Sequence, residues 1–323
     1  MKLMRQFLVI LGVFSLVWLP LAACGGATQS SSTGELEGNI AISGAFALYP
    51  MMQRWAEEFQ KANPKVTFDI SAGGAGKGMA DALSNAVDIG MVSRAVTPEE
   101  EAKGAYWIAV TKDAVFPMVN EKNPVLQDLL KQGVKKEIFE GIYITGEIKT
   151  WGEVVGRPEV IDLINVYTRS DACGASEVWA KYLGNKRQED LLGIGVNADP
   201  GLLDAVIKDP LGIGYNNLGY AFDNASGKPV AGAIPIPVDN NGNGQADAEE
   251  ILETKAEAVE MVALGKYPSP PARDLNLVTN GKPSGLFLAF IQWILTDGQK
   301  YVSEAGYVQL PQEQLAAGLQ KLQ

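Results

Sequence analysis

The sequence contains no histidine and only two cysteines, Cys24 and Cys173, among its 323 residues. Without histidine it cannot form a Ser-His-Asp triad or a His-ligated zinc site, and it lacks the commonest general base. Basic residues are also in the minority, with 27 Lys and Arg against 38 Asp and Glu and a net charge of -11. An acidic chain without a basic run is a poor nucleic-acid binder. We therefore expect a protein that is not an enzyme and that has no nucleic-acid partner.

A short apolar segment near the amino terminus predicts a secretion signal. Lys2 and Arg5 precede it, and it covers residues 7–19, which is too short to span a membrane comfortably with its flanks. The following Leu-Ala-Ala-Cys, which ends at Cys24, resembles the bacterial lipobox, whose cysteine becomes the lipidated first residue of the mature protein. We therefore predict that residues 1–23 are a signal peptide and that Cys24 carries a lipid. The alternative is a short membrane anchor that is retained uncut.

The residues after the predicted lipid are polar. Residues 24–38 are rich in Ser, Thr and Gly, which predicts a flexible tether. Lipidation of Cys24 leaves Cys173 alone, so no intrachain disulfide is available even in an oxidising compartment. The predicted location is extracytoplasmic, in the periplasm or at the cell surface, anchored to the cell membrane or an outer membrane. Gly25 rather than Asp after the cysteine favours an outer membrane where one exists, by resemblance to lipoprotein sorting rules.

Three strand–turn–helix units follow the tether. Short apolar strands are predicted at residues 39–43, 66–70 and 88–92, each followed by a turn of small residues and a helical pattern. Successive units of this kind predict an α/β domain with parallel strands and binding turns at their carboxyl ends.

Two later apolar strands, at residues 107–120 and 268–280, are predicted to cross between two lobes. An insertion flanked by two crossings is typical of a hinged two-lobe receptor. The predicted lobe 1 comprises residues 39–114 and 275–323, and the predicted lobe 2 comprises residues 115–274.

The glycine-rich turn at residues 71–78 does not fit the known phosphate-binding loops. A P-loop requires Gly, four residues and then Gly-Lys-Ser/Thr, but Ser71 stands at the first position and Gly78 at the last. The dinucleotide-binding spacing is also missing. The segment is therefore predicted to be a turn whose backbone N–H groups can approach a ligand closely.

A second candidate turn lies at residues 168–176. It follows an apolar run, residues 160–167, that predicts a buried strand, and it precedes a predicted helix at residues 176–183. The first N–H groups of a helix have no partner within it and favour an anion, and Arg169 adds a planar fork of donors. The alternative is an ordinary capped helix whose Arg169 pairs with Asp171.

Together these segments resemble the phosphate-type extracytoplasmic solute-binding proteins of ABC importers. The resemblance covers nearly all of the mature chain in matching order and spacing. It is carried by the glycine turn and by five further motifs: Ile-Ser-Gly at 42–44 with Tyr-Pro at 49–50, Trp-Ala-Glu-Glu-Phe at 55–59, Val-Asp-Ile-Gly at 87–90, Arg-Ser-Asp at 169–171 and Pro-Leu-Gly-Ile-Gly-Tyr at 210–215. It implies a type II periplasmic-binding fold and a monomeric receptor that delivers phosphate, or a related oxyanion, to a membrane permease.

The resemblance also implies a ligand site built from the binding turns of both lobes. Its residues are Ala45, Phe46, Ala47, Ala75, Gly76, Ser93, Arg169, Cys173, Gly174 and Ala175. The family typically places hydroxyl side chains in three of these turns, where this chain has Ala45 to Ala47, Ala75, and Cys-Gly-Ala in place of Ser-Gly-Thr. Each hydrogen bond to a charged ligand contributes about 1.5–3 kcal/mol. Either phosphate is held mainly by backbone N–H groups, Arg169 and Ser93, or the ligand is another small anion or organic acid with an apolar part that fits Phe46.

Two other functions remain open from the sequence. A thiol at a helix amino terminus, such as Cys173, can act as a nucleophile, although no histidine is present to assist it. The cleft could also serve a lipoprotein sensor or adhesion module that takes no part in transport.

A separate motif at residues 239–250 fits the twelve-residue calcium-loop pattern at every constrained position. The predicted ligands are Asp239, Asn241, Asn243, Gln245, Asp247 and Glu250, with Gly244 at the sharp bend. The loop lacks a helix before it, so we expect a single weak site that holds a structural Ca²⁺. The alternative is a surface turn rich in Asn and Gly that binds no ion.

Overall fold

The computed structural model describes residues 35–323. The predicted signal peptide, Cys24 and most of the predicted tether lie outside these residues. Among residues 35–323, no helix is both long enough and apolar enough to cross a membrane.

The strands form one large sheet and one small one. The large sheet has the order β2-β1-β3-β11-β4-β8-β6-β7, with β9 also paired to β4, and the small sheet pairs β10 with β5. β1 lies parallel to both β2 and β3, as the three successive units predicted. The strands are β1 (Gly38–Gly44), β2 (Val66–Ala72), β3 (Ile89–Val92), β4 (Ala105–Asn120), β5 (Val134–Lys135), β6 (Asn165–Arg169), β7 (Ile194–Val196), β8 (Gly212–Asn217), β9 (Ala233–Pro235), β10 (Val238–Asp239) and β11 (Ala272–Asn280).

Helices cover the sheet. They are α1 (Tyr49–Ala62), α2 (Ala75–Leu83), α3 (Pro98–Ala102), α4 (Leu126–Gln132), α5 (Lys136–Glu140), α6 (Trp151–Val155), α7 (Gly174–Tyr182), α8 (Ala198–Lys208), α9 (Leu218–Ala221), α10 (Lys255–Ala263), α11 (Gly285–Leu295), α12 (Lys300–Glu304) and α13 (Gln312–Leu322). Single helical turns add Phe46–Leu48, Gly141–Thr145, Gln188–Asp190 and Asp297–Gln299.

β4 is the strand that joins the two lobes. Its first part pairs antiparallel with β11, and its second part pairs antiparallel with β8 and β9. One hydrophobic core draws on residues 40–110 and 275–322, and the other on residues 114–272 together with Val308. The predicted two-lobe α/β architecture is therefore confirmed.

Helix α1 shows how distant parts of the sequence build lobe 1. Pro50 lies in its first turn, where a missing N–H costs nothing, and its apolar positions face the sheet. Trp55 is fully buried, and its indole N–H donates to the carbonyl of Gly298 at 2.9 Å. The amino-terminal helix is thereby joined to the carboxyl-terminal segment.

Two sequence predictions about element bounds were wrong. The strand predicted at residues 160–167 begins only at Asn165, because its neighbour β8 begins at Gly212, opposite that residue. Ile161 and Leu163 are consequently 78% and 63% exposed instead of buried. The apolar spacing of Met79, Leu83 and Val87 predicts a helix through Val87, but the helix ends at Leu83, since the chain turns at Asn85 with a positive φ of 56°.

Candidate functional site

The binding turns of the two lobes meet directly. The Gly76 N–H, in the first turn of α2, donates to the carbonyl of Ala172 in lobe 2 at 3.3 Å. Gly174, at the start of α7, packs against Ser93, and a Cβ added to it would lie 2.3 Å from the Ser93 carbonyl oxygen. The close approach of these turns therefore depends on a residue without a side chain at position 174. The Gly76 N–H was predicted to face a ligand, but it donates to the Ala172 carbonyl of the other lobe instead.

An ion pair lies beside these contacts. Arg94 follows β3 in lobe 1, and its Nε lies 3.0 Å from a carboxylate oxygen of Glu177 on α7 in lobe 2. Glu100 also pairs with this guanidinium, and its Oε1 lies 2.6 Å from Arg94 Nη2. Burial raises the pKa of Glu177, and the nearby Arg94 acts against this. The sequence analysis did not identify this pair, because its members lie on separate turns and belong to no recognised motif.

Arg169 lies at the centre of the site, and its side chain is completely buried. Its Nε donates to Asp171 Oδ1 at 2.8 Å, and its Nη2 donates to Asp171 Oδ2. The alternative weighed from the sequence, an Arg169–Asp171 pair, is therefore found. A second buried carboxylate lies on the other side, with Asp199 Oδ2 3.0 Å from Nη1. The ring of Phe46 from lobe 1 faces the guanidinium at 5.5 Å.

The three charged groups shift one another's pKa. Burial alone would lower the pKa of Arg169, but the carboxylates of Asp199 and Asp171 raise it above its ordinary value. Burial alone would raise the pKa of Asp171, and the hydrogen bonds from Arg169 and the Ala198 N–H reverse this and lower it. For Asp199, burial outweighs the attraction of Arg169 and raises the pKa. Arg169 is therefore a permanent cation. It lies between Asp171, which stays ionised, and Asp199, which takes up a proton more readily.

Helix α7 supplies backbone donors next to Arg169. Cys173 precedes the helix, and its Sγ accepts from the Ser176 N–H at 3.5 Å, while its own N–H donates to Gln188 Oε1 at 3.1 Å. The N–H groups of Gly174 and Ala175, in the first turn, have no acceptor within the helix. They remain as donors to an anion, together with the positive end of the helix dipole.

Cys173 does not have the surroundings of a nucleophile. It is 7% exposed, and burial raises the pKa of its thiol although Arg169 acts against this. The neutral thiol acts as the cap of α7.

The alanines predicted in the site contribute no polar side chain. Ala45, Ala47, Ala75 and Ala175 are all buried in the packing behind the turns. The N–H of Ala45 is already used by the carbonyl of Met91. Among the ten predicted residues, only Ser93 and Cys173 add polar side chains to Arg169.

Sequence reasoning missed a buried polar chain that runs from Arg169 to the crossing strands. Asn217 Nδ2 donates to Asp199 Oδ1 at 2.6 Å, and Arg273 Nη2 donates to Asn217 Oδ1. Arg273, on β11, also lies 3.1 Å from Asp113 Oδ2 on β4. The four residues are far apart in sequence and lie in no common motif. Only the pairing of β4, β8 and β11 brings them together.

The predicted calcium loop is folded around its first residue. Asp239 is buried, and its carboxylate accepts the N–H groups of Gly242, Asn243 and Gly244 at 2.7, 3.1 and 2.8 Å. Glu250 closes the loop by accepting the N–H of Asn240 at 2.7 Å.

Side chains in the middle of the predicted calcium loop also hydrogen-bond to one another. Asn241 and Asn243 both contact Asp247 Oδ2, at 2.6 and 3.0 Å. Among residues 35–323, no three Asp, Glu, Cys or His side chains lie close enough together to hold a metal ion by themselves. An ion in this loop would therefore also need the amide oxygens of the two asparagines and the carbonyl of Gln245.

Comparisons with known proteins agree with this architecture. The PBP superfamily domain matches residues 27–298. The phosphate-binding protein PstS of Bacillus subtilis is 28% identical over 316 residues, which cover 94% of each chain. A substrate-binding protein of Clostridium perfringens, solved with bound phosphate, superimposes with a TM-score of 0.68 at 22% identity, covering 85% of this chain and 100% of the other. An ABC-type phosphate transport receptor of Vibrio cholerae superimposes with a TM-score of 0.60 at 20% identity, covering 84% and 100%.

Proposed function

This chain belongs to the PBP superfamily, and we propose that it is an extracytoplasmic solute-binding protein that binds phosphate or a related oxyanion and passes it to an ABC importer. The type II two-lobe fold predicted from the sequence agrees with its structural neighbours. The names of the matching proteins in Bacillus subtilis and Vibrio cholerae support phosphate as the ligand.

The observation that carries the proposal is the position of Arg169 beside the start of α7. A buried guanidinium, two N–H groups without helical acceptors and a helix dipole meet at one place between the lobes. These groups all favour negative charge. The facing ring of Phe46 excludes water from the guanidinium and strengthens its electrostatic interactions.

Binding explains the residues better than catalysis does. Cys173 is buried with a raised pKa, and the sequence contains no histidine to activate it. The alanines at positions 45, 47, 75 and 175 add no side chain that could transfer a proton. We therefore propose no reaction at this site.

Isothermal titration of phosphate tests the proposal. The protein is the chain after the predicted signal peptide with Cys24→Ala, which prevents lipidation. We expect one phosphate bound per chain, and Arg169→Lys to weaken binding by about ten-fold or more because lysine lacks the planar fork. The control is Arg157→Ala, since that side chain pairs with Asp128 and Glu159 instead. A folded protein that releases no heat with phosphate would show that another anion is the ligand, to be identified by mass spectrometry of what co-purifies.

We also propose that Cys24 carries a lipid that anchors the protein to a membrane. The lipobox-like sequence before it supports this. Cells that make the Cys24→Ala protein should release it into the soluble fraction and lose labelling by a fatty-acid analogue. Importer function is tested separately by phosphate uptake after deletion of the gene. Unchanged uptake by cells whose protein binds phosphate would favour a sensor or adhesion role.

We further propose that residues 239–250 bind a structural Ca²⁺. The loop places six candidate ligands in the required order, and it is attached to lobe 2 by the pairing of β10 with β5. Ligand binding to the folded state raises the melting temperature. After treatment with a chelator, millimolar Ca²⁺ should therefore raise the melting temperature of the wild type but not of Glu250→Gln. Glu249→Gln is the control, because Glu249 pairs with Lys266 instead. Equal responses of all three proteins would contradict the proposal.

A further inference from the structure

We propose that this protein has a second binding site for a small oxyanion, in a pocket where Arg54 of lobe 1 meets Lys255 of lobe 2. The pocket measures about 330 Å³, and none of its lining residues belongs to the binding turns. It is formed by α1, by the start of α10 and by residues 304–307, so both lobes contribute to it. The inference does not depend on which ligand occupies the cleft.

The first step is the buried charge of Lys255, a residue that is 6% exposed. Its Nζ donates to the amide oxygen of Asn224 at 2.5 Å and to the carbonyl of Ala305 at 3.0 Å. Both acceptors are neutral, and one of the three N–H bonds of the ammonium remains for another acceptor. In the part of the chain that the structure describes, Asp113 and Asp223 attract this ammonium from longer range, and neither forms an ion pair with it. A buried cation without a charged partner is costly, and a bound anion removes that cost.

The second step is the space that lobe 1 leaves for this ammonium. Gly306 has a φ of 71°, and a Cβ added to it would lie 2.5 Å from both Cε and Nζ of Lys255. Nζ also lies 5.6 Å from the centre of the Tyr307 ring, whose hydroxyl donates to the carbonyl of Ala47 at 2.8 Å. The ammonium is therefore held at a fixed place against lobe 1.

The third step is the second cation of the pocket. Arg54 is 38% exposed, with Glu58 3.0 Å from its Nη1 and Glu304 3.4 Å from its Nη2. Glu58 is shared, because it also lies 2.7 Å from Nζ of Lys61. Together with the buried ammonium, these side chains are three cations against two carboxylates. One positive charge is therefore in excess around the pocket.

These features favour a small anion with several oxygens, such as sulfate or phosphate. Ammonium and guanidinium groups both form charge-assisted hydrogen bonds to such oxygens. Because the two cations belong to different lobes, an anion between them joins the lobes and stabilises the folded protein. Glu304 competes for Arg54, and this side of the pocket is open to water. We therefore expect a dissociation constant on the order of 1 mM.

Crystals soaked in selenate provide the first test, because selenium gives an anomalous signal that marks the position of the ion. The protein is the chain after the predicted signal peptide with Cys24→Ala. We expect a selenate within hydrogen-bonding distance of Lys255 Nζ, on the side that faces Arg54, and none there in Lys255→Met. Wild-type crystals that hold selenate elsewhere but not in this pocket would overturn the proposal.

Thermal unfolding in sulfate provides the second test, with chloride at equal ionic strength as the reference. About 20 mM sulfate should raise the Tm of the wild type by about 3 °C. Lys255→Met keeps the length of the side chain without its charge and should lose at least about half of this rise. The matched control is Lys208→Met, an exposed lysine that pairs with Asp204 and should respond like the wild type. Arg54→Gln, at a partly exposed position, should also lose part of the rise and replaces Lys255→Met if that variant does not fold.

Arg169→Lys separates this pocket from the cleft, and it should keep most of the response to sulfate. A response lost in Arg169→Lys but kept in Lys255→Met would belong to the cleft and would overturn the second site. A selenate peak combined with equal responses of the wild type and Lys255→Met would mean an adventitious ion only, which also overturns it. None of these outcomes decides whether the cleft binds phosphate, since that is measured by the titration described above.

Discussion

Arg94 in lobe 1 and Glu177 in lobe 2 form an ion pair across the cleft, with 3.0 Å between Nε and a carboxylate oxygen. Arg94 is simultaneously fixed by Glu100 in its own lobe. The arginine is therefore fixed by its own lobe as well as by Glu177. The pair joins the two lobes beside the binding turns.

We expect Glu177→Gln to weaken anion binding by roughly two-fold to five-fold, mostly through faster release. Partly exposed ion pairs contribute about 0.2–1 kcal/mol, and changes to one interface act mainly on the dissociation rate. Stopped-flow measurement of release checks this. The control is Glu159→Gln, which removes an exposed pair with Arg157 elsewhere in lobe 2. Equal release rates for all proteins would mean that the pair does not hold the cleft closed.

Gly174→Ala should force the binding turns of the two lobes apart. The added Cβ would lie 2.3 Å from the Ser93 carbonyl oxygen and 2.4 Å from its hydroxyl, which is closer than real Cβ atoms approach. We expect affinity to fall by about ten-fold to a hundred-fold, while the melting temperature without ligand changes little because the lobes can stay apart. Gly219→Ala is the control, since its Cβ would lie 3.7 Å from the Tyr307 hydroxyl. Unchanged affinity of Gly174→Ala would contradict the close contact between the lobes.

Ionisation of Asp113 should lower the free energy of unfolding as the pH rises from acidic to neutral. Burial raises its pKa to about 6, with Arg273 acting against this, whereas an unfolded aspartate titrates near its ordinary value. A raised pKa in the folded state stabilises below the unfolded pKa, and this contribution is lost as pH rises through about 6. The loss is at most about 3 kcal/mol.

Urea unfolding of wild type and Asp113→Asn at several pH values checks this prediction. The variant leaves Arg273 without its charge partner, so its absolute stability should fall. The informative quantity is the slope of the free energy of unfolding against pH, which should be shallower in the variant between about pH 4 and 6. Parallel curves for the two proteins would show that Asp113 is not the titrating group.

Cys173 should react slowly with a thiol reagent in the folded protein. Burial both blocks access and raises the pKa of the thiol, so little thiolate is present. In the chain with Cys24→Ala, where Cys173 is the remaining thiol, we expect modification on the order of a hundred-fold more slowly than after unfolding in urea. Rapid modification without unfolding would reopen the question of a nucleophile at this position.

Much of the fold could be predicted from local patterns. Strands β1, β2 and β4 have their expected positions, because apolar periodicity and turn residues act over short distances. The run at 160–164 was placed wrongly, since the length of a strand depends on the partner it pairs with. The candidate turn at 168–176 could be identified from a local strand–turn–helix signature, whereas the site residues at 45–47 and 75–76 were implied by the family resemblance.

By itself, the sequence determined the α/β class, the crossing strands, the turn that carries Arg169, and the absence of histidine chemistry. Only the tertiary structure decided that Arg169 faces Asp199 as well as Asp171, that Arg94 pairs with Glu177, and that Asn217 connects the site to Arg273 and Asp113. The reason is physical. Composition and periodicity indicate which groups are buried. The partner of a buried charge depends on the sheet, because strand pairing decides which strand ends and helix starts lie next to one another.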